Sequence, residues 1–500
     1  MGHSTNSKRA RAMSFPTKPV LNDLFHRKAA VSLDFLIVGG SIGGLACAYN
    51  LKQAGHNVRV LERSSGPGNA TGGLRVPPNM TKLLLHWGLS DRLVKAGIRC
   101  PRIEMIDSEN GNFLSELVFH EVVMMELQAE NYGVTYADIY GIIHDITVAS
   151  GVQIEYNCEV VDVDVEEREV KLASGEILNA DLIVGADGAT SIVRERMVGR
   201  QENHKAGPFA GYTYTIPVSQ MKEDPELRVF LEERGVWKVF MGNNTCALTF
   251  MAGPDQYAIQ LIISEPNASH GWNKPINLAP IVANFDGYDE RVKRLLRLGT
   301  QAVETRHVIQ EHLEDWFSDD GHVVLLGDAA HNLNPGTSHG SALAMEDAAV
   351  LGSLFSRLRT RDSDEIPRLL AAYQEIREGR CAEVTRTEYE TVAFSVLPKD
   401  NPMRTERDAG FAASRQMKVL DWENLDDPFL QHIWEQFKCS FGYDAYDAAD
   451  DWWVDWGIMR ERMRASSMAV SDGSGSSPKD MTFSFSQSLD PTLDSLSTSP

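Results

Sequence analysis

The residues best suited to chemistry lie in three separated segments that combine glycine with acidic residues at the end of an apolar strand. The first segment reads DFLIVGGSIGGLACAYNL and places Gly39, Ser41 and Gly44 between a predicted strand and a predicted helix. In a dinucleotide-binding fingerprint the first glycine permits a tight turn, the middle position admits the pyrophosphate, and the last lets the helix approach the strand. Ser41 stands at the middle position. Because a helix start also offers free N–H groups to phosphate, this segment predicts FAD or NAD binding without choosing between them.

An acidic residue follows the next predicted strand at the spacing of the fingerprint. Glu62 lies roughly 20 positions after Gly39, where a carboxylate accepts hydrogen bonds from both ribose hydroxyls. Arg63 comes next and is predicted to lie against the adenine. The pair favours a nucleotide site over a glycine-rich turn that holds no ligand.

The second and third segments favour FAD. ADLIVGADGATSIVRERM places Asp187 and Gly188 at the end of one apolar strand. GHVVLLGDAAHNLNPGTSHGSALAMEDAAVL places Gly327 and Asp328 at the end of another, followed by a loop through Pro335. A carboxylate in the position of Asp328 can bond a polyhydroxylated chain such as ribityl.

A predicted helix starts at the end of that loop. Its first N–H groups are expected to stabilise negative charge on a reduced flavin ring, as the positive end of a helix dipole does. These groups belong to Gly340, Ser341 and Ala342.

In this order, the three segments resemble the aromatic-ring hydroxylase family of flavoprotein monooxygenases, which includes p-hydroxybenzoate and salicylate hydroxylases. The resemblance runs from about residue 34 to 395 and includes GGLRVPPNMTKLLLHWGL after the second strand. It implies that Asp187 and Gly188 serve FAD and transient NAD(P)H binding, and that Asp328 binds the ribityl chain. It also implies that Arg194 meets the phosphates of the nicotinamide cofactor. The segment FSVLPKDNPMRTERDAGF is similar to fungal salicylate-hydroxylase-like members.

The sequence departs from the family pattern at one flavin contact. Members commonly carry an arginine in a segment that here reads TYADIYGII, so Tyr136 stands where the arginine is expected. Tyr136 can stack or donate a hydrogen bond but carries no charge. Arg75 or another cation is therefore expected to substitute for the missing guanidinium.

The resemblance implies an NAD(P)H-dependent monooxygenase. NAD(P)H reduces the flavin, O₂ adds to give a flavin C4a-hydroperoxide, and one oxygen atom passes to an aromatic or polycyclic small molecule by hydroxylation or epoxidation. Baeyer–Villiger oxygenation and a flavin-dependent reductase on the same fold stay open as alternatives. A non-catalytic flavin-binding carrier or regulatory protein is the alternative of a different class.

A base that ionises a phenol would assist such a reaction. The candidates are His331 and His339 in the third segment, and Tyr212 and Tyr214 on a predicted strand. Aromatic and apolar side chains are expected to line the pocket and to select a flat, largely apolar substrate. These are Trp237, Phe240, Phe250 and Met251.

The elements that position these residues predict an α/β fold, with a Rossmann-type FAD-binding domain interleaved with a β-sheet substrate domain. We expect a flexible arm over 1–30, FAD-binding pieces over 31–204 and 306–395, and the β-rich domain over 205–305. A helical segment over 396–465 and a disordered tail over 466–500 complete the chain. Five runs in the β-rich domain are predicted as strands: GYTYTIPV, LRVFLEE, VWKVFMG, CALTFMAG and YAIQLIIS.

Composition narrows the remaining classes. A formal net charge of −22 argues against a general binder of nucleic acid or of anionic membranes, because both require a positive field. The six cysteines are scattered without a CxxC pair, so free thiols are expected and no metal site. No signal peptide and no apolar run long enough for a membrane span are seen. The expected partners are an aromatic small molecule and O₂, with a homodimer and a cytoplasmic location as further expectations.

Overall fold

The computed structural model describes residues 27–66, 72–202, 204–265, 274–362, 364–415 and 428–459. The predicted arm up to residue 26 and the predicted tail over 466–500 lie outside these residues. Two compact units are distinguished, 1–450 and 451–500. In the second unit, the structure describes the last residues of helix α16 and one π-helical turn, Trp453–Gly457.

The strands form four sheets within the described residues, and they are numbered here along the chain. A parallel five-stranded sheet has the order β19-β12-β1-β2-β8 and consists of β1 (Asp34–Val38), β2 (Asn57–Leu61), β8 (Gln153–Glu155), β12 (Leu182–Gly185) and β19 (Val323–Leu325). A small sheet of order β3-β7-β4 consists of β3 (Gly73–Val76), β4 (Ile98–Arg99) and β7 (Tyr132–Thr135). A third sheet, of order β11-β10-β9, consists of β9 (Val160–Asp164), β10 (Glu169–Leu172) and β11 (Ile177–Asn179).

The fourth sheet has eight strands in the order β17-β18-β13-β16-β15-β14-β5-β6. Its members are β5 (Arg102–Asp107), β6 (Phe113–Val118), β13 (Lys205–Pro217), β14 (Trp237–Met241), β15 (Thr245–Met251), β16 (Gln256–Ser264), β17 (Lys274–Asn277) and β18 (Gln301–Ile309). The sheet therefore draws on two parts of the chain, since β5 and β6 lie well before the predicted start of the β-rich domain at residue 205.

The helices of the first half are α1 (Ile42–Gln53), α2 (Pro78–His86), α3 (Ser90–Ala96), α4 (Glu121–Leu127), α5 (Tyr136–Ala149), α6 (Ile192–Met197), α7 (Val218–Glu223) and α8 (Pro225–Glu232). Those of the second half are α9 (Ala279–Val282), α10 (Glu290–Arg297), α11 (Asp328–His331), α12 (Gly340–Phe355), α13 (Glu365–Ser395), α14 (Pro402–Ser414), α15 (Pro428–Phe441) and α16 (Ala445–Trp452). A 3₁₀ turn covers Ala283–Phe285. Among the described residues, no helix combines the length and apolarity that crossing a membrane requires.

One of the predicted strands is wrong. The run LRVFLEE lies in helix α8, because Pro225 occupies the first turn and the Asp224 side chain accepts a hydrogen bond from the Glu226 N–H. Proline at the first helical position and an aspartate cap are both strong helix-start signals. The other four predicted runs lie in β13, β14, β15 and β16.

The parallel sheet carries the nucleotide-binding elements. All residues of β1 after Asp34 are buried, as are the residues of β12, because helices cover both faces of a parallel sheet. Helix α1 leads from β1 to β2, which lies beside β1. The strands β12 and β19 lie on the other side of β1, so the three glycine-bearing strand ends meet at one edge.

The small sheet of β3, β7 and β4 packs closely against the eight-stranded sheet at Gly73. A methyl group on Gly73 in β3 would lie 2.3 Å from the Ala258 Cβ and 2.8 Å from the Phe250 ring. We expect Gly73→Ala to lower the free energy of unfolding by about 1–3 kcal/mol through overpacking. Chemical denaturation of the FAD-loaded protein measures this.

The matched control is Gly141→Ala in helix α5, where an added methyl group meets nothing within 4 Å. Alanine raises helix stability there by roughly 0.5–1 kcal/mol. Equal effects of the two substitutions would contradict the tight junction.

Candidate functional site

The glycines of the first segment are required by geometry. Gly39 has φ 106°, and a methyl group on it would lie 2.4 Å from the Ala186 carbonyl oxygen of the neighbouring strand end. A methyl group on Gly44 would lie 2.0 Å from the Gly39 carbonyl oxygen. The turn and the start of α1 therefore pack directly on each other and on β12.

The start of α1 leaves donors free for a ligand. Ser41 is the exposed N-cap, and its hydroxyl makes no capping hydrogen bond. The first N–H groups of a helix have no partner within the helix. A phosphate at this position would accept hydrogen bonds from the Ser41 hydroxyl and from the free N–H groups of α1.

Glu62 lies beside this turn, as predicted for a ribose-binding carboxylate. Its two oxygens accept hydrogen bonds from the N–H groups of Gly40 and Ser64, each at 2.8 Å. These two bonds fix the carboxylate at the end of β2 while leaving lone pairs available. Arg63 is exposed next to it.

Tyr136 reaches the phosphate-binding turn. Its backbone N–H donates to the Gly72 carbonyl at 3.0 Å, and its hydroxyl accepts from the Ile42 N–H at the start of α1. Burial and the nearby charge of Asp328 raise the pKa of Tyr136 to about 12. The phenol therefore stays neutral, and it takes one N–H group of the helix start for itself.

A row of aromatic residues near Glu62 was missed by the sequence reasoning. The rings of Tyr136, Tyr140 and His144 stack in turn along α5, at 6.4 and 6.0 Å between centroids. Tyr156 bonds His144 Nε2 at 2.9 Å, and the charge of Glu62 helps to raise the pKa values of Tyr136, Tyr140 and Tyr156. Their spacing of four residues along a helix was the available signal.

Asp187 is occupied within its own loop. Its carboxylate accepts from the Ser191 hydroxyl, from the Ile192 N–H at 2.8 Å and from the Val193 N–H at 3.3 Å, so it caps helix α6. Gly188 follows with φ 86°, a conformation that favours glycine. The structure thus gives this pair a role in shaping the turn, and contact with a cofactor stays a prediction.

The predicted role of Arg194 does not fit the geometry. Its guanidinium is completely buried and bonds Glu202 at 2.7 Å. Its remaining donors face the Ala329 and Ala330 carbonyls, at 3.1 and 3.3 Å, and the Glu311 carbonyl. Four of its five N–H donors are thus used within the protein, and the completely buried side chain binds α6 to the loop after β19 instead of facing a ligand.

Asp328 is the free carboxylate of the site. Gly327 before it has φ 60°, which turns the chain at the end of β19. The Asp328 side chain is half-buried and makes no hydrogen bond within the described part of the chain. Burial raises its pKa to about 6, although the charge of His331 opposes the shift. A half-buried acceptor without a partner matches the role predicted for it, that of a ligand to ribityl hydroxyls.

His331 belongs to a buried charge network. Its Nε2 lies 2.7 Å from an oxygen of Asp347, which also accepts from the Gly327 N–H and from Arg377 Nε. Burial lowers the pKa of His331, but the charge of Asp347 outweighs this and raises it well above its usual value. A general base must be unprotonated to accept a proton from the substrate, and the raised pKa favours the protonated form of His331, so its predicted role as a substrate base does not fit.

His339 is held from both sides. Its Nδ1 lies 2.5 Å from an oxygen of Glu388, and its Nε2 lies 3.1 Å from the Ser440 carbonyl. Both ring nitrogens thus contact oxygen atoms of the protein, so neither is free to meet a substrate. His339 therefore fits a positioning role better than the predicted role of a base.

The start of α12 after His339 is open. His339 is its N-cap and makes no side-chain capping bond, and a methyl group on Gly340 would come no nearer than 3.9 Å to any atom except its neighbours. Ser341 and Ala342 complete the first turn. Pro335 lies against β13, where a methyl group on Gly211 would come within 2.6 Å of its Cβ.

Tyr212 and Tyr214 point away from these loops. Along β13, Gly211 packs near Pro335 and Thr213 near Gly72, so residues of the opposite parity face the other side of the sheet. There Tyr212 and Tyr214 join a buried core with α8 and α10. The prediction that either tyrosine is the substrate base is wrong for this reason.

The predicted pocket aromatics divide between the two sides. Phe240 and Met251 join the same core as the tyrosines, so they do not face the glycine-rich loops. Trp237 and Phe250 pack together at 5.4 Å in a second cluster, and Phe250 lies against β3.

The face toward β3 contains residues that the sequence reasoning missed. Gln260 donates from Nε2 to the Gly73 carbonyl at 2.9 Å, and Cys246 and Ile262 lie on the same face with Phe209. To find them from the sequence, one would have needed the strand register, which decides which residues of each strand face β3.

The fold and the free groups define a class of protein. A βαβ unit with an open helix start, a fixed carboxylate at the end of β2 and a free aspartate at a second strand end describe a flavin-dinucleotide-binding oxidoreductase. The protein-family comparison agrees, because residues 32–388 match the FAD binding domain family. The chain belongs to this family, and it is an FAD-dependent monooxygenase.

Individual relatives share the architecture at low identity. The chain is 27% identical over 379 residues to the FAD-dependent monooxygenase cfoG of Aspergillus candidus, covering 71% of this chain and 84% of that protein. It is 24% identical over 364 residues to 6-hydroxynicotinate 3-monooxygenase of Bordetella bronchiseptica, covering 71% and 90%. A substrate complex of salicylate hydroxylase superposes with a TM-score of 0.63 at 20% identity, covering 84% of this chain and 97% of that one.

The free state of Asp328 leads to a prediction on FAD affinity. Asp328→Ala removes a charge-assisted acceptor, so FAD should bind roughly 10- to 100-fold more weakly. Fluorescence titration of the apoprotein with FAD measures the change. The control is Asp319→Ala, which removes an exposed carboxylate just before β19. A variant that stays as yellow and binds FAD as tightly as the wild type would contradict the ribityl assignment.

The raised pKa of Asp328 adds a pH dependence. The carboxyl group is protonated below about pH 6 and then loses its charge as an acceptor. FAD affinity should therefore fall as the pH drops through 6 and stay level above it. In Asp328→Asn the fall in FAD affinity at low pH should be absent. If this variant shows the same pH dependence as the wild type, another group is responsible for it.

The buried hydroxyl of Tyr214 has no hydrogen-bond partner among the described residues. Tyr214→Phe should leave the rate of substrate-stimulated NAD(P)H oxidation within about twofold, and raise stability by up to ~1 kcal/mol because an unsatisfied polar group is removed. Steady-state kinetics and thermal unfolding test both. A tenfold loss of rate with an unchanged melting temperature would contradict this prediction and indicate that Tyr214 contacts the substrate.

Proposed function

We propose that this monooxygenase uses NAD(P)H and inserts one oxygen atom from O₂ into an aromatic or polycyclic small molecule, by hydroxylation or epoxidation. The observation that carries the proposal is the free, half-buried Asp328 carboxylate beside the open start of α12. Bound FAD, once reduced, supplies the oxygen activation. The protein contributes binding, orientation and exclusion of water.

The residues that hold FAD follow from the groups left free. Ser41 and the start of α1 would hold the diphosphate, and Glu62 the ribose of the adenosine. Asp328 would bind the ribityl chain, and the first N–H groups of α12 would face the flavin ring. The residues present therefore fit FAD.

The substrate class is supported by the relatives and by the face of the sheet toward the loops. One relative is a 6-hydroxynicotinate 3-monooxygenase and one fold neighbour a salicylate hydroxylase, both enzymes with an aromatic substrate in their names. In this chain Phe209, Cys246 and Ile262 form a buried apolar cluster on that side with Val392 and Val396 at the end of α13. An aromatic substrate would bury its ring beside this cluster, with Gln260 and Thr213 as polar neighbours.

The experiment is a substrate screen on the purified protein. Phenols, indoles and polyketide-like aromatics are tested for faster NADPH and NADH oxidation, and the products are analysed by mass. We expect a yellow protein and a product that gains one oxygen atom from ¹⁸O₂. A protein that takes up no FAD, or that oxidises NAD(P)H without ever releasing an oxygenated product, would overturn the proposal. The same data decide between hydroxylation and Baeyer–Villiger oxygenation.

A further inference from the structure

The guanidinium of Arg75 is incompletely used. One of its terminal nitrogens donates to the Gly336 carbonyl, and its Nε is buried without a hydrogen-bond partner in the described part of the chain. A guanidinium has five N–H donors. Arg194 shows the contrast, since each of its three guanidinium nitrogens donates to an acceptor of the protein. Arg75 therefore has donors left for a ligand.

The side chain of Arg75 points toward the eight-stranded sheet. Arg75 and Gly73 have the same parity on β3, and a methyl group on Gly73 would touch Ala258 of β16. The charge of Arg75 also acts on the buried thiol of Cys246, on the same face of the sheet. The guanidinium thus lies between β3, the loop at Gly336 and the apolar wall proposed for the substrate ring.

The nearest carboxylate does not neutralise Arg75 by direct contact. Glu388 of α13 uses one oxygen to accept from His339 Nδ1 at 2.5 Å and from the Ser338 N–H and hydroxyl at 3.0 Å. No ion pair joins Glu388 to Arg75 among the described residues; Glu388 acts only through its charge. The bonded Glu388 oxygen is thus engaged by His339 and Ser338, and the guanidinium of Arg75 keeps donors for a ligand.

From this geometry we propose that Arg75 binds an ionised oxygen of the aromatic substrate, a phenolate or a ring carboxylate, and so selects substrates that carry one. The inference rests on the proposed function. It reassigns Arg75, expected above to replace a flavin-binding arginine, to substrate specificity. A guanidinium that offers two parallel N–H donors to an anionic oxygen gives both strength and orientation. The ring carbon to be oxygenated would be placed by this contact and by the apolar wall.

The test uses the full-length, FAD-loaded protein and three probes of similar size: 4-nitrophenol, 4-nitrobenzoate and 4-nitroanisole. Binding is followed by perturbation of the flavin absorbance. The ionisable probes should bind at least tenfold more tightly than the methyl ether. Arg75→Gln should weaken that binding about 10- to 100-fold and change ether binding less than about twofold. At a pH where free nitrophenol is mostly neutral, binding should generate the phenolate band.

Two further variants keep the test decisive. Arg75→Lys retains the charge without the planar donors, and should keep part of the preference for ionised probes. Arg386→Gln removes an exposed guanidinium from α13, the helix of Glu388, and should change nothing. Preference for nitrophenol would identify a phenolate site, and preference for nitrobenzoate a carboxylate site.

The inference fails if Arg75→Gln weakens FAD binding rather than probe binding, since Arg75 would then be a flavin contact. It fails equally if ether and phenol bind alike, or if no probe perturbs the flavin. Where Arg75→Gln does not fold, the preference retained by Arg75→Lys decides. Failure of the proposed function looks different, because it leaves a colourless protein or one that forms no oxygenated product.

Discussion

The site depends on one buried carboxylate, Asp347 on helix α12. It accepts hydrogen bonds from the Gly327 N–H at 2.9 Å, from His331 Nε2 at 2.7 Å and from Arg377 Nε at 2.8 Å. Burial alone would raise the pKa of Asp347, but the charges of His331 and Arg377 lower it to about 2. Leaving such a charge without partners would cost several kcal/mol, so the strand end after β19, helix α11 and helix α13 are held in place together.

The two open helix starts are brought together by the same constraint. Because Asp347 fixes α12 against the end of β19, the first turn of α12 lies beside the first turn of α1. A methyl group on Gly43 of α1 would come within 2.9 Å of the Ala344 Cβ of α12. Two positive helix ends thus face one region, where an extended anionic cofactor offsets the repulsion between them. The small residues at this contact are needed to let the helices approach.

The sequence was sufficient for features that depend on local pattern. The turn at Gly39, the position of Glu62 and the helix start at Gly340 follow from residues close together in the chain, and the structure has each of these elements where it was predicted. Features that depend on register or on distant partners were not predictable in this way. Tyr212 and Tyr214 face the opposite side of β13 from Thr213, because side chains alternate along a strand. The strands β5 and β6 join their sheet across more than a hundred residues of chain.

A residue that lies in a family motif does not always keep a hydrogen-bonding group for a ligand, as the protein partners of each side chain show. Asp187 and Asp328 both end strands within family motifs, yet of the two only the Asp328 carboxylate accepts no hydrogen bond from the described residues. Arg194 and Arg75 are both buried cations near these motifs, yet of the two only Arg75 keeps a buried nitrogen without an acceptor among the described residues. A buried polar group that the protein does not satisfy is costly, so it persists where a ligand satisfies it. By this criterion we predict that Asp328 binds the cofactor and propose that Arg75 binds the substrate, while Asp187 and Arg194 shape the loops around them.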